Sequence, residues 1–187
     1  MDSNDQFYLF FNRLVNEFHI QFDGIWHVGA HQCEETHMYE QHLARDKILW
    51  VEALPEQVEA CRSKYPLINV VHAVVSDREG ETVQFHRSSS TMSSSLLPLG
   101  MAHKRLHPDI HHTEQITMQT TTLMALIADT NRSHNIPYSF LSLDTQGAPL
   151  CVSMLSFITP SRYLCLSLDT QGDYSITHPT HVILLTL

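Results

Sequence analysis

The sequence predicts an α/β fold in which a mostly parallel sheet is covered by helices. Short apolar runs alternate with helical patterns in the order β-α-β-α-β between residues 24 and 75. The first apolar run leads into a glycine and an alanine, as in a tight strand-to-helix turn. In addition, 43% of the 187 residues are hydrophobic, which is enough for one domain with a substantial core. Parallel strands need crossover connections, so this alternation favours a parallel sheet with right-handed crossovers.

The first element is an amphipathic helix within residues 1–20. Apolar side chains recur at helical spacing along "DQFYLFFNRLVNEFH", and together they form one face. A helix with a single apolar face packs on a larger element, so we expect it to lie on the sheet. The residues of that face are Phe7, Phe10, Phe11, Leu14, Val15 and Phe18.

The following elements alternate until the middle of the chain. They are a strand at 24–28, a helix at 34–44, a strand at 47–52, a helix at 56–64 opened by Pro55, and a strand at 68–75. After a turn at Gly80, side chains alternate in a β-segment at 81–87. We then expect a polar functional loop at 88–115, a strand at 116–120, a helix at 122–131 and a buried strand at 138–144.

Composition excludes several classes of function. Eleven basic and twenty acidic side chains give a net charge of −9, which disfavours nucleic acid and anionic membranes as partners. No apolar run approaches the roughly 20 residues of a membrane helix. Four cysteines, Cys33, Cys61, Cys151 and Cys165, form no zinc spacing, and the N-terminal "MDSNDQF" is not a secretory signal. We therefore expect reduced, mostly buried thiols in a cytoplasmic protein.

The turn after the first strand has the features of a nucleotide site. Glu52 ends the second strand 23 residues after Gly29, and a carboxylate there can accept the hydroxyls of a ribose. The helix starting near Glu34 is expected to add backbone N–H donors and a positive dipole end. A single glycine, together with Glu34 and Glu35, disfavours a pyrophosphate and thus a dehydrogenase. The pattern suits S-adenosylmethionine, and a Rossmann-like scaffold without a ligand stays open.

Five segments resemble the FkbM-type methyltransferase family over residues 25 to 150. They are "HVGAHQCEETHMYE", "ILWVEALPE", "AVVSDREGETVQFH", "SSSLLPLGMAH" and "FLSLDTQGAPL". The resemblance implies a class I S-adenosylmethionine-dependent methyltransferase fold, a Rossmann-like three-layer sandwich. It also implies O-methylation, commonly of sugar hydroxyls. We expect 1–187 to be a single domain, with a family-like core at 24–150 and a divergent segment at 151–187.

The resemblance also implies roles for individual residues. Asp144 would lie near the sulfonium or the acceptor, and His103 near the acceptor. Residues near the cofactor would be Gly29, Ala30, His31, Glu52, His72 and Ala73, while Ser93, Ser94 and Ser95 would line the acceptor pocket.

An acceptor hydroxyl loses a proton during methylation, so the reaction needs a general base. A histidine titrating near neutral pH is suited to this role; His103 is the first candidate and Asp144 the second. Asp144 could instead cap a turn. His103, His107 and His111 could bind a divalent cation, although Pro108 interrupts their spacing, or they could be solvated loop residues. We predict no metal. His27, where many relatives carry an acid, is expected to be a core histidine.

The sequence departs from the family pattern in three places. Cys33 replaces a glycine of the first loop, and Pro149 replaces a glutamate. The third departure is the C-terminal part, which looks truncated or degenerate. It repeats "LSLDTQG" at 141–147 and 166–172, and it has no clear sequence for the antiparallel hairpin at the far sheet edge. Asp169 is thus a rival for the position of Asp144. We hypothesise that an unpaired edge gives a homodimer.

The sequence therefore predicts an S-adenosylmethionine-dependent O-methyltransferase acting on a sugar or another small-molecule hydroxyl, whose activity the altered C-terminus could impair. The alternative is a non-catalytic relic that binds a nucleoside or a protein partner.

Overall fold

A computed structural model describes residues 3–133, 139–145, 164–167 and 182–185. Its main sheet has six strands in the spatial order β3-β2-β1-β7-β8-β9. Neighbouring strands are parallel, except that β8 and β9 are antiparallel. This topology confirms a Rossmann-like α/β fold. The strands are β1 (Ile25–Val28), β2 (Ile48–Glu52), β3 (Asn69–His72), β7 (Phe140–Leu143), β8 (Leu164–Ser167) and β9 (Val182–Leu185).

Five α-helices accompany the sheets in the described part of the chain. They are α1 (Ser3–Asn16), α2 (Thr36–Tyr39), α3 (Pro55–Lys64), α4 (Met101–Leu106) and α5 (Leu123–Ser133). Two short 3-10 helices cover Arg45–Lys47 and Thr91–Ser93. No helix among the described residues is both long and apolar enough to cross a membrane.

Alternating side chains of the central strands build two cores, one on each face of the sheet. On one face, Ile25 and Trp50 pack with residues of α1, α2 and α3, among them Phe11 and Tyr39. On the other face, Trp26 and its neighbours pack against α5 through a separate cluster. The helix–sheet–helix arrangement follows from the two-residue period of a strand. The predicted N-terminal packing helix is confirmed, since Phe7 and Phe11 are buried, but Phe18 lies beyond the end of α1 and is 62% exposed.

The predicted strand at 68–75 is in fact two strands in different sheets. β3 pairs with β2, whereas β4 (Val74–Ser76) pairs with β6 (His112–Thr122) in a second sheet of order β4-β6-β5. The third strand of that sheet is β5 (Thr82–Ser88). The division falls at Ala73, whose N–H donates to the carbonyl of Glu52. Each half contains a pair of adjacent valines, so the sequence pattern does not reveal the change of partner.

Two further predictions need correction. The helix predicted at 34–44 is helical only over α2, because residues 31–35 form successive turns and His31 and Cys33 have positive φ. The predicted loop at 88–115 contains α4, a 3-10 turn and the first part of β6. The strand predicted at 116–120 is correspondingly longer.

The expectation that the far edge lacks an antiparallel hairpin is wrong for the described residues. β8 and β9 pair antiparallel there, and four-residue apolar runs such as theirs carry little periodic signal. The two copies of the repeat begin in neighbouring strands. β7 and β8 pair in parallel with Ser142 opposite Leu166, so the copies are offset by one residue. Asp169, Pro149 and Cys151 lie outside the described residues.

Candidate functional site

A cleft opens at the carboxyl ends of β1, β2 and β7. Ligands of open α/β sheets bind in this crevice, because the strand ends and their loops converge there. The second sheet contributes the opposite wall through β4 and β5. The lining includes the polar and glycine residues Gly29, His31, Glu34, Glu35, Glu52, Thr91, Ser94, Ser95 and Asp144.

Gly29 forms the floor of the cleft, where two strands leave no room for a side chain. Its φ is +89°, and its N–H donates to the carbonyl of Val51 at 2.9 Å. A Cβ at this position would stand 1.8 Å from the carbonyl oxygen of Asp144. The glycine is therefore required by both backbone conformation and space.

Glu52 is held at the end of β2 by two backbone donors. Its Oε2 accepts the N–H of His31 at 2.7 Å, and its Oε1 accepts the N–H of Leu54 at 2.8 Å. Burial raises the pKa of this carboxyl and outweighs these bonds, which favour the charged form. A carboxylate oxygen has two lone pairs, so each oxygen keeps one for a ligand hydroxyl.

His31 connects the turn after β1 with Thr91, in the opposite wall of the cleft. Its Nδ1 lies 2.6 Å from Glu34 Oε1, and its Nε2 lies 2.8 Å from Thr91 Oγ1. Burial disfavours the protonated ring, but the bond to Glu34 and the charges of Glu34, Glu52 and Glu35 outweigh burial and raise the pKa of His31. As an imidazolium, the ring donates to both partners. The histidine is thus part of the cleft's framework.

Glu35 and Asp144 are the remaining carboxyl groups of the cleft. Burial raises the pKa of half-buried Glu35 to about 7, and the charges of Glu34 and Asp144 add to the effect. The Asp144 backbone N–H donates to the carbonyl of Val28 at 2.8 Å and fixes the chain at the end of β7. Four carboxyl groups against one histidine make the cleft a favourable place for a cation.

The structure brings most of the predicted site residues together. Gly29, Ala30, His31, Glu52 and Ala73 all line the cleft, as do Ser94, Ser95 and Asp144. The first strand-to-helix turn and the end of the second strand therefore meet where the sequence predicts a cofactor site.

Three predicted residues lie elsewhere. His72 is exposed, and its Nε2 lies 2.9 Å from the carbonyl oxygen of Ala53. Ser93 is buried but does not line the cleft. His103, in α4, is 6% exposed and packs against His107 with ring centroids 5.0 Å apart. Burial, with a contribution from His107, lowers the pKa of His103. The order of the family-like segments along the chain does not show which residues of a loop point into a cleft, so these three residues were predicted there wrongly.

Two further expectations concern charge and metal. The four-residue α2 is too short for the helix dipole expected near Glu34, and the backbone N–H groups of residues 29–33 donate to acceptors within the protein. Among the described residues, no group of three or more His, Cys, Asp or Glu side chains is arranged to hold a metal ion.

His27 is a core histidine, as predicted. Its Nδ1 lies 2.9 Å from the hydroxyl of Tyr39, and its ring stacks on Trp50 with centroids 4.9 Å apart. Burial lowers its pKa to about 4, so the ring is neutral near pH 7, and its Nδ1 accepts the hydrogen bond of the Tyr39 hydroxyl when Nε2 carries the ring proton.

Several lining residues were not predicted as functional. The sequence gives Glu35 only the roles of complementing a helix dipole and repelling a pyrophosphate, and Thr91 and Met92 precede the serine-rich segment without a distinctive motif. Their positions depend on how the second sheet packs over the first. The only available signal was proximity in sequence to Glu34 and Ser93.

Comparison with family models identifies the family of the chain. The model of the methyltransferase FkbM domain matches residues 27–150, more than half of the chain. That span contains both the first turn and Asp144. No curated protein and no solved structure matches the chain.

Proposed function

Because the chain belongs to the FkbM methyltransferase family, we propose that it is an S-adenosylmethionine-dependent O-methyltransferase acting on a hydroxyl of a sugar or another small molecule. The observation that carries the proposal is the cleft, in which Glu52 is fixed by backbone donors beside the glycine turn. This is the arrangement that a ribose-binding carboxylate needs.

The charges of the cleft fit this cofactor better than a dinucleotide. When bound, S-adenosylmethionine supplies a methyl group activated by a positively charged sulfur. Glu52 would hold the ribose hydroxyls through its free lone pairs, and Gly29 and Ala30 would let the chain approach closely. The carboxylates of Glu34, Glu35 and Asp144 favour a cationic group and repel a pyrophosphate.

We assign the removal of the acceptor proton to the carboxyl groups of the cleft. A general base works best when its pKa lies near the operating pH, and Glu35 has a pKa of about 7. Asp144 is the second candidate, because it lines the same cleft. Its negative charge also contributes to the raised pKa of Glu35. In this assignment Glu35 accepts the hydroxyl proton and Asp144 orients the reacting groups. His103 lies outside the lining and has no direct part in it.

Hydroxyl-bearing residues of the opposite wall are suited to a polar acceptor. Ser94 and Ser95 line the cleft beside Thr145. Ser94 Oγ accepts the N–H of Ser88 at 3.0 Å, and Ser95 Oγ donates to the carbonyl of Thr145 at 3.3 Å. These bonds fix both hydroxyl oxygens, which can then bond to the hydroxyls of a sugar.

A nucleoside-binding module without turnover is the second candidate. It is favoured by Cys33, which stands in the first loop at φ +57°, where a glycine would allow a closer approach of the backbone. The two candidates agree on cofactor binding and differ on methyl transfer.

The test is calorimetric titration of the chain with S-adenosylmethionine and S-adenosylhomocysteine. We expect micromolar binding, weakened at least tenfold in Glu52→Gln, a loss of about 1.4 kcal/mol. Glu59→Gln, which removes an exposed carboxylate of α3, is the matched control and should bind like the wild type. A folded protein that binds neither compound would contradict the proposal. Binding without S-adenosylhomocysteine release across a panel of sugars would favour the second candidate.

A further inference from the structure

Two cysteines from different elements are in contact where the turn of residues 29–35, here called the cofactor turn, packs on α3. The Sγ atoms of Cys33, in the turn, and Cys61, in α3, lie 2.6 Å apart, and both side chains are fully buried. Both are free thiols. Unbonded sulfur atoms do not normally approach so closely, and a disulfide bond is about 2.05 Å long. Little movement therefore separates the two thiols from a covalent bond.

Cys33 holds an unusual backbone position next to Cys61. Its φ of +57° lies in the left-handed region, which disfavours residues with a side chain. Cys61 also contacts the turn directly, because its S–H group donates to the carbonyl of His31 at 3.2 Å. A cross-link between the cysteines would hold the turn in its present conformation against α3.

We propose that Cys33 and Cys61 form an oxidisable dithiol, which a peroxide converts into an intramolecular disulfide joining the cofactor turn to α3. The inference concerns sulfur chemistry and does not depend on the proposed methyl transfer. It departs from the sequence-based expectation of four unrelated, reduced thiols.

The reaction balances with hydrogen peroxide as the oxidant. One sulfur attacks a peroxide oxygen; an S–O bond forms, the O–O bond breaks, and the departing hydroxide takes up the thiol proton as water. The second sulfur then attacks the resulting sulfenic sulfur, an S–S bond forms, and the second oxygen leaves as water with the second thiol proton. Two thiols and one peroxide thus give one disulfide and two waters.

The environment of the pair determines the rate of each step. The hydrogen bond to Cys61 and burial raise the pKa of the Cys33 thiol, so the thiolate is scarce and the first step should be slow and accelerate with pH. The second step joins sulfurs that are already adjacent. We therefore expect the disulfide to accumulate without sulfinic acid.

The test uses the full chain, reduced and then treated with hydrogen peroxide in native buffer. After acid quenching and denaturation, N-ethylmaleimide should label two of the four cysteines instead of all four. Digestion and mass spectrometry should recover a Cys33–Cys61 peptide pair. A Cys151→Ser, Cys165→Ser double variant retains only the proposed pair and should give the same cross-link.

Matched variants and a denatured reaction separate the proposal from chance pairing. Cys33→Gly, which suits the left-handed position, and Cys61→Ala should each abolish the cross-link while circular dichroism stays native. Peroxide treatment in urea should reduce the yield of this pair relative to the others. Four labelled cysteines after treatment of a folded protein would overturn the proposal. So would oxidation of Cys33 to sulfinic acid, or a disulfide formed only with Cys151 or Cys165.

Discussion

The backbone of Gly29 lies against that of Asp144, so that a Cβ on the glycine would stand 1.8 Å from the aspartate's carbonyl oxygen. The contact joins the ends of β1 and β7 and sets the floor of the cleft. We predict that Gly29→Ala destabilises the protein by about 4 kcal/mol or more, because the backbone itself would have to move. Urea unfolding followed by circular dichroism measures this.

Gly80→Ala is the matched control for that substitution. Gly80 also has a positive φ, +68°, but no atom lies within 4 Å of the position of its Cβ. The Gly80→Ala variant should lose only the conformational advantage of glycine, which lowers the free energy of unfolding by about 1 kcal/mol. Equal losses in the two variants would mean that the Gly29–Asp144 contact does not determine the packing of these strands.

The pH dependence of methyl transfer should report on Glu35. Its pKa of about 7 means that the carboxylate forms as the pH rises through neutrality, so kcat/KM should rise over the same range. We predict that Glu35→Gln removes this rise of kcat/KM with pH, the rising limb of the pH profile. The variant should also lower kcat/KM roughly 10²-fold, the scale of general-base catalysis. Release of S-adenosylhomocysteine measures the rate. Glu59→Gln should keep the wild-type profile; an unchanged limb in Glu35→Gln would transfer the role to another group.

The elements around this site differ in how far the sequence specifies them. β1, β2 and β7 are short apolar runs bounded by turn residues, and their carboxyl ends necessarily share one edge of a parallel sheet. Glu52 could therefore be predicted in the cleft from position alone, whereas the place of Asp144 was implied by the resemblance to the FkbM-type family. The break at Ala73 could not be predicted, because it depends on β4 finding β6 some 45 residues later, in a second sheet.

Side-chain direction limits prediction in the same way. Glu34 and Glu35 are adjacent and chemically alike, yet Glu34 pairs with His31 while Glu35 acquires a pKa near 7. His103 follows the serine-rich segment in sequence but is buried away from the cleft. Cys33 and Cys61 meet only because the turn packs on α3. Each of these facts is a consequence of tertiary packing rather than of local pattern.

An exposed leucine offers a test of backbone strain away from the cleft. Leu67 has φ +62° and is 93% exposed, so its left-handed conformation is not offset by burial of the side chain. Asparagine tolerates this conformation better, and we predict that Leu67→Asn stabilises the protein by about 0.5–1 kcal/mol. Urea unfolding provides the measurement. Leu67→Ala lacks the polar side chain that lets asparagine tolerate this φ and should give no gain, so an equal gain would attribute the effect to removal of apolar surface.

The buried histidine of β1 should make stability depend on pH. Burial lowers the pKa of His27 from 6.5 to about 4, so between these values the unfolded chain binds a proton that the folded chain does not. The stabilisation that comes from keeping His27 neutral is therefore fully present above pH 6.5 and is lost as the pH falls towards 4. Over this range the free energy of unfolding decreases by about 3 kcal/mol. We predict this loss in urea unfolding of the wild type relative to His27→Gln, whose amide oxygen can still accept the Tyr39 hydroxyl.

The raised pKa values of Glu35 and Glu52 act in the opposite direction in both proteins and cancel in the difference. If the two stability curves run parallel between pH 7 and 4, His27 binds a proton in the folded protein as readily as in the unfolded one.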